Sequence, residues 1–166
     1  MSIGTGSNVA VLADVAFGSN PGMWPLPRAV TASELWLRAV AAAGQGRYSC
    51  ALADLDQLDR LADAGPLRAL GRSTRASFHR QLGWHDRARP LDGQALALAS
   101  GDAESGADAF IGLAADALGV GRFAASACAL ARASRLVDDA GAPRLPVRHA
   151  WVSAELAMVR GEGPAA

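Results

Sequence analysis

Lysine does not occur in this 166-residue chain, so all sixteen bases are arginine, and sixteen acids balance them to a formal net charge of zero. Without surplus positive charge the chain lacks the footprint that duplex binding needs, and no direct nucleic-acid contact is expected. Aromatic residues make up only 5%, and period-2 alternation of β-branched residues is hard to find beyond Asn8 to Val15, so strand signals are nearly absent. Two cysteines, Cys50 and Cys128, are too few for a disulfide framework and have no second ligand pair beside them for zinc. They read as small core residues in a reducing compartment. No apolar run approaches the eighteen or so residues of a membrane span, since the nearest candidate, Val9 to Phe17, is broken by Asp14. No basic leader precedes that run, so a secretory signal is not expected, and the cytoplasm is the expected location. His79, His85 and His149 stand at no metal-ligand spacing with the cysteines. No nucleophile elbow, phosphate-binding loop or paired-histidine zinc motif occurs, so neither metal nor cofactor is expected.

What is present is apolar and helix-forming. Apolar residues are 51% of the chain, mean hydropathy is +0.13 and alanine occurs 38 times, a bias that fits a GC-rich genome. This is one domain's worth of material, with enough apolar surface for a core. From Thr31 onward alanine, leucine and arginine dominate segments of twelve to sixteen residues separated by glycine, proline or aspartate joints. They predict seven helices: Ala32 to Gly44, Tyr48 to Ala62, Pro66 to Leu82, Asp86 to Ala99, Glu104 to Gly119, Phe123 to Asp138 and Pro146 to Arg160. Thr31 or Ser33 caps the first, Pro66 opens the third, and acids precede the fifth.

The segments repeat. Gly46, Gly83, Gly121 and Gly161 end alternate helices at intervals of 37, 38 and 40 residues. Seven residues before each stands an alanine: Ala39, Ala76, Ala114 and Ala154. Two residues after the first three stands a ring, Tyr48, His85 or Phe123, and five residues after stands a small residue, Ala51, Ala88 or Ser126. Small residues in mid-helix permit close helix approach, glycine permits the left-handed turn that sends the chain back, and the ring can plug the hairpin's end.

These columns resemble tetratricopeptide repeats over about residues 32 to 160. The period is longer than that family's 34, and Arg72, Pro90, Asp92 and Gly93 depart from its pattern. The resemblance implies an all-α fold, an antiparallel helix-hairpin array of about three hairpins plus a C-terminal helix, wound as a right-handed α-solenoid. The helical array would occupy residues 31–162, after an irregular, partly docked segment 1–30 and before a disordered tail 163–166. Gly4, Gly6, Gly18, Pro21, Gly22, Pro25 and Pro27 rule out a long helix in that first segment. Its apolar residues, Val9, Val11, Leu12, Val15, Phe17 and Trp24, predict that it lies along the first hairpin or in the groove.

Two strings, GVGRFA at Gly119 and GQGRYS at Gly44, look like dinucleotide fingerprints. That chemistry needs a strand leading in, and here a helix does, so both read as repeat turns.

The informative polar feature is a face of the third helix carrying Arg68, Arg72, Arg75 and His79 at i, i+4, i+7 and i+11, opposite Leu67, Leu70, Thr74, Phe78 and Leu82. Arg80, Arg87 and Arg89 extend it. Asp56, Asp59 and Asp63 on the preceding helix make an ion-pair ladder one reading, and unpaired arginines that bind an acidic peptide the other. The family likeness places ligands in the concave groove of the first helices, which implies Trp36, Val40, Ser73, Ser77, Arg80, Ile111, Ala115, Trp151 and Glu155 as groove-facing. Trp36, Arg80 and Trp151 are the expected anchors. The last helix, with Ala150, Trp151, Ala154 and Met158 on one face and Val147, Val152, Leu156 and Val159 on much of the rest, is apolar nearly all round and predicts a cover, either the N-terminal segment folded over it or another subunit in a homodimer. The expected function is that of a non-enzymatic scaffold binding a peptide or helix of a partner protein, with no membrane contact. The alternatives are a transcription-associated regulator that binds another regulator, and a small enzyme using His79.

Overall fold

The computed structural model describes residues 8–61 and 65–162, and among them every regular element is an α-helix. Eight occur: α1 (Val9–Phe17), α2 (Ala32–Gly44), α3 (Tyr48–Leu61), α4 (Pro66–Gln81), α5 (His85–Ala99), α6 (Ala103–Gly119), α7 (Phe123–Val137) and α8 (Arg144–Arg160). Seven of them fall where the sequence predicts helices. The eighth, α1, fills the stretch free of glycine and proline between Gly6 and Gly18, where Leu12 and Val15 at i and i+3 bury one face. Asp63 and the expected tail at 163–166 lie outside the described residues.

The ends of the helices follow local chemistry. Thr31 closes a capping box on α2, its hydroxyl accepting from the Glu34 amide at 3.2 Å while the Glu34 carboxylate accepts from the Thr31 amide at 3.0 Å. Asp102 caps α6 by accepting from the Ser105 amide at 2.9 Å. The four aligned glycines share one turn. Gly46, Gly83, Gly121 and Gly161 take φ of 75°, 76°, 76° and 71°. The residue after each donates to the carbonyl five residues back: Arg47 to Ala42, Trp84 to His79, Arg122 to Ala117 and Glu162 to Ala157. This is the Schellman closure, which needs a left-handed residue that only glycine adopts cheaply.

The chain packs as two compact units, residues 1–63 and 64–166. In the first, α2 packs on both α1 and α3. Trp36 is buried against Phe17, their rings 5.8 Å apart. Arg38 meets the buried Asp54 at 2.5 Å. Residues 18–31 are fastened to α2 at both ends. Glu34 accepts from Asn8, Val30 and Thr31 amides, and the Gln45 amide nitrogen donates to the Pro21 and Met23 carbonyls at 2.9 and 3.0 Å. Arg47 lies 3.6 Å over the half-exposed Trp24 ring.

In the second unit each helix packs on its chain neighbour, and α6 packs also on α4 and α8. Directions follow from the contacts. His85 lies against Gly119 and Asp92 against Gly112, so α5 and α6 are antiparallel. Leu136 against Gly106 and Arg132 over Phe110 make α6 and α7 antiparallel too. Arg144 pairs with Glu104 and Arg148 with Asp108, a constant offset of 40 residues, so α6 and α8 run the same way. The small columns are buried in both units: Ala39, Ala76, Ala114, Ala51, Ala88 and Ser126 are fully enclosed. Ala154, last of its column, is exposed.

Cys50 and Cys128 are free and exposed, not core residues. The inward positions beside them are taken by Ala51 and Ser126, so the periodicity of α3 and α7 turns both thiols outward. Leu82, expected on the apolar face of its helix, is also exposed, because α4 ends at Gln81 and Leu82 is already in the turn.

Candidate functional site

In the second unit α4, α6 and α8 enclose a cleft of about 560 Å³. Their matching repeat positions line it: Ser77, Ala115 and Glu155 form one column, Ile111 and Trp151 belong to the next, and Leu118 and Val152 complete an apolar wall. Arg80, Gln81, His85 and Arg148 supply the polar lining. Trp151 stands at the rim, 67% exposed, its indole N–H donating to Glu155 at 2.8 Å.

Behind this wall runs a buried polar seam. Arg80, in the last turn of α4, donates through Nη1 to Asp92 of α5 and to Asp116 of α6, the latter at 3.3 Å. The Ser73 hydroxyl donates to the other oxygen of Asp92 at 2.9 Å. His85 Nδ1 lies 3.7 Å from Asp116. Two glycines on α6 make room for these groups. A Cβ at Gly112 would stand 2.5 Å from both carboxylate oxygens of Asp92, and one at Gly119 would stand 2.3 Å from the His85 ring. His85 and Asp92 are seven residues apart on α5, as Gly112 and Gly119 are on α6, so one antiparallel register serves both.

The seam is electrically tense because one arginine serves two enclosed carboxylates. Burial, opposed by Arg80 and joined by the nearby Asp116 charge, pushes the Asp92 carboxyl up to about 7, and burial raises Asp116 as well. Arg80 Nη2 and Asp116 Oδ2 are buried without a hydrogen-bond partner. On the far wall Arg148 pairs with Asp108, and burial with the Arg80 charge nearby lowers it to about 10, which leaves it cationic at neutral pH.

Of the residues singled out from sequence, Ser77, Arg80, Ile111, Ala115, Trp151 and Glu155 come together in this cleft. Ser73 lies behind it, committed to Asp92. Trp36 and Val40 belong to the first unit, where Trp36 is a core residue. Arg72, Arg75 and His79 stand elsewhere on α4: both arginines are half-buried and engaged, and the His79 ring lies 5.9 Å from that of Trp84. Sequence reasoning missed His85 as a lining residue, Arg148, and the acids Asp92 and Asp116. For Arg148 a signal existed, since Arg144 and Arg148 sit one repeat interval after Glu104 and Asp108.

Among the described residues no group of three His, Cys, Asp or Glu side chains is placed to hold a metal ion, and no helix is long and apolar enough to cross a membrane. No protein-family model, curated protein or solved structure matches this chain.

Proposed function

We propose that this protein is a non-enzymatic interaction module, a tetratricopeptide-like helical array that holds a peptide or helix of a partner protein in the cleft of its second unit. The single observation that carries the reading is the cleft itself: three successive first helices present one repeat column, Ser77, Ala115 and Glu155, to one concavity, with an exposed tryptophan at its rim. Clefts that pair an apolar wall with a few convergent polar groups are the usual form of binding sites. Tryptophan and arginine are the residue types that most often anchor interfaces. The array reading draws on the four identical glycine turns, the enclosed alanine columns, and a second unit in which α6 is antiparallel to α5 and α7 but parallel to α8.

The lining selects the ligand's chemistry. Ile111, Leu118 and Val152 suit an aliphatic side chain, and the partly exposed Arg148 in the lining suits a carboxylate. An acidic residue beside an apolar one is therefore the expected recognition element. The test is selection from a displayed random-peptide library on immobilised wild type, with counter-selection on Ala115→Phe, whose ring fills the cleft from a half-buried position. Enrichment of acidic–apolar sequences that Ala115→Phe fails to retain supports the proposal. Failure of wild type to enrich any sequence over the filled variant overturns it.

A further inference from the structure

One stripe of α8, which borders the cleft at Val147 and Trp151, is bare in a way its counterparts are not. Val147, Trp151 and Met158 are 66%, 67% and 71% exposed, and Ala154 between them is exposed too. One repeat earlier the counterparts of Val147, Trp151 and Ala154 are Ala107, Ile111 and Ala114 of α6, and one before that Ala69, Ser73 and Ala76 of α4, none more than 1% exposed, while those of Met158, Leu118 and Arg80, are half-buried. On α6 the covering comes from the two helices that follow it: Leu130 and Ala133 of α7 and Leu145, Val152 and Leu156 of α8 share a core with Ala107, Ile111 and Ala114. The stripe on α8 is thus a helix-packing face without its helix. A contiguous apolar stripe of this kind on a folded chain marks an interaction surface.

The spacing of the stripe says what fits. Val147, Trp151, Ala154 and Met158 follow the 4-3-4 rhythm of a knobs-into-holes seam. That rhythm is symmetric about the midpoint between Trp151 and Ala154. An identical helix laid antiparallel puts each Trp151 over Ala154 of the second copy, large against small, and each Val147 over Met158. The flanking charges agree. Arg148 and Glu155 each follow a stripe position by one residue, so the antiparallel pairing brings Arg148 beside Glu155 of the second copy twice, whereas a parallel one sets them beside the uncharged Pro143 and Ala150. Arg148 keeps 35% of its side chain exposed alongside Asp108.

We propose that this face of α8 is a self-association surface, on which a second copy of the chain lays its own α8 antiparallel across a two-fold axis. This goes beyond the cleft reading and shares one edge of α8 with it, since Val147, Arg148, Trp151 and Glu155 also line the cleft; Ala154 and Met158 belong to the stripe alone, so substitutions there separate the two.

The test is the mass of the full chain in solution by light scattering over a concentration series. Wild type is expected at twice the 17.0 kDa monomer mass. Ala154→Glu, exposed in one copy but set between tryptophans in the pair, is expected at the monomer mass with unchanged circular dichroism, and Met158→Glu gives the same result by an independent substitution. Ala125→Glu, on the exposed side of α7, stays dimeric. Orientation is read from single cysteines in a Cys50→Ser, Cys128→Ser background: Val147→Cys and Met158→Cys crosslink when mixed, and neither crosslinks to itself. A monomeric wild type, whether or not it takes up a helix of another protein, overturns the proposal. So does a dimer that survives both glutamates, or crosslinking of Val147→Cys to itself. Peptide capture by the Ala154→Glu variant is expected to persist, so loss of the dimer and loss of the cleft function are separate results.

Discussion

Replacing Gly112 by alanine tests whether the buried seam is as tightly built as its geometry says. In an open helix the change favours the fold by about 1 kcal/mol, because glycine gives up more backbone freedom. Here the new methyl lands 2.5 Å from both oxygens of Asp92. That carboxylate is fully buried, held by Ser73 at 2.9 Å on one oxygen and by Arg80 on the other, so it cannot swing aside without giving up both. Overpacking of this kind costs ~1–3 kcal/mol, which cancels or outweighs the helix term and leaves a net loss of up to ~2 kcal/mol. Taking away the carboxylate reverses the sign. In an Asp92→Ala background the same Gly112→Ala change meets no obstacle and gains up to about 1 kcal/mol, so the double-mutant cycle carries a coupling equal to the overpacking cost, ~1–3 kcal/mol. Urea unfolding of all four proteins, followed by tryptophan fluorescence and circular dichroism, gives the values, with Trp84 and Trp151 reporting on the second unit. Stabilisation by Gly112→Ala in the wild-type background, or an equal effect in both backgrounds, would refute the reasoning.

Gly121→Ala, forced to φ +76° in open space, is expected to cost ~1–2 kcal/mol, whereas Gly44→Ala, helical and equally uncrowded, is expected to stabilise by up to about 1 kcal/mol; paired thermal melts check both. The two units are expected to respond oppositely to pH. Amides of Val30, Thr31 and Asn8 hold Glu34 down from 4.5 to about 2, so its contribution to the first unit is present above 4.5 and is lost as pH falls toward 2; Glu34→Gln should flatten that acid limb in a fluorescence titration. Asp92 is raised from 3.8 to about 7, so the fold favours its protonated form; its contribution is full below 3.8 and is lost as pH rises through 7, and the decline in urea midpoint over that range should be shallower in Asp92→Asn. Cys50 and Cys128 are both expected to react with a thiol reagent in the native state at rates near those of the unfolded chain, and protection of either would contradict its exposure.

The parts of this fold that are legible in the sequence are those decided within one turn or one repeat. Thr31 with Glu34, Pro66, and the glycine columns act locally, and the helix limits read from them agree with the structure within about two residues. The cleft was half legible for the same reason: once the columns are aligned, Ser77, Ala115 and Glu155 fall on one face. The seam was not. Asp92 beside Pro90 and Gly93 looks like an interruption of a helix, and its place becomes intelligible only with Gly112 on the next helix and Arg80 on the one before. Gly119, read from sequence as part of a repeat turn, is the floor for the His85 ring. The α1 helix escaped because its nine residues are flanked by glycines before and by glycines and prolines after, and its helicity depends on burying Leu12 and Val15 within the first unit.

The central claim is that partner peptides occupy the cleft of the second unit. Chemical-shift mapping of the isotope-labelled full chain with a selected acidic–apolar peptide tests it most directly. The expected result is a set of saturable shifts at Ser77, Gln81, Ala115, Leu118 and the Trp151 indole, absent in Ala115→Phe. Saturable shifts confined to α1–α3, or to the exposed sides of α5 and α7, would contradict the account.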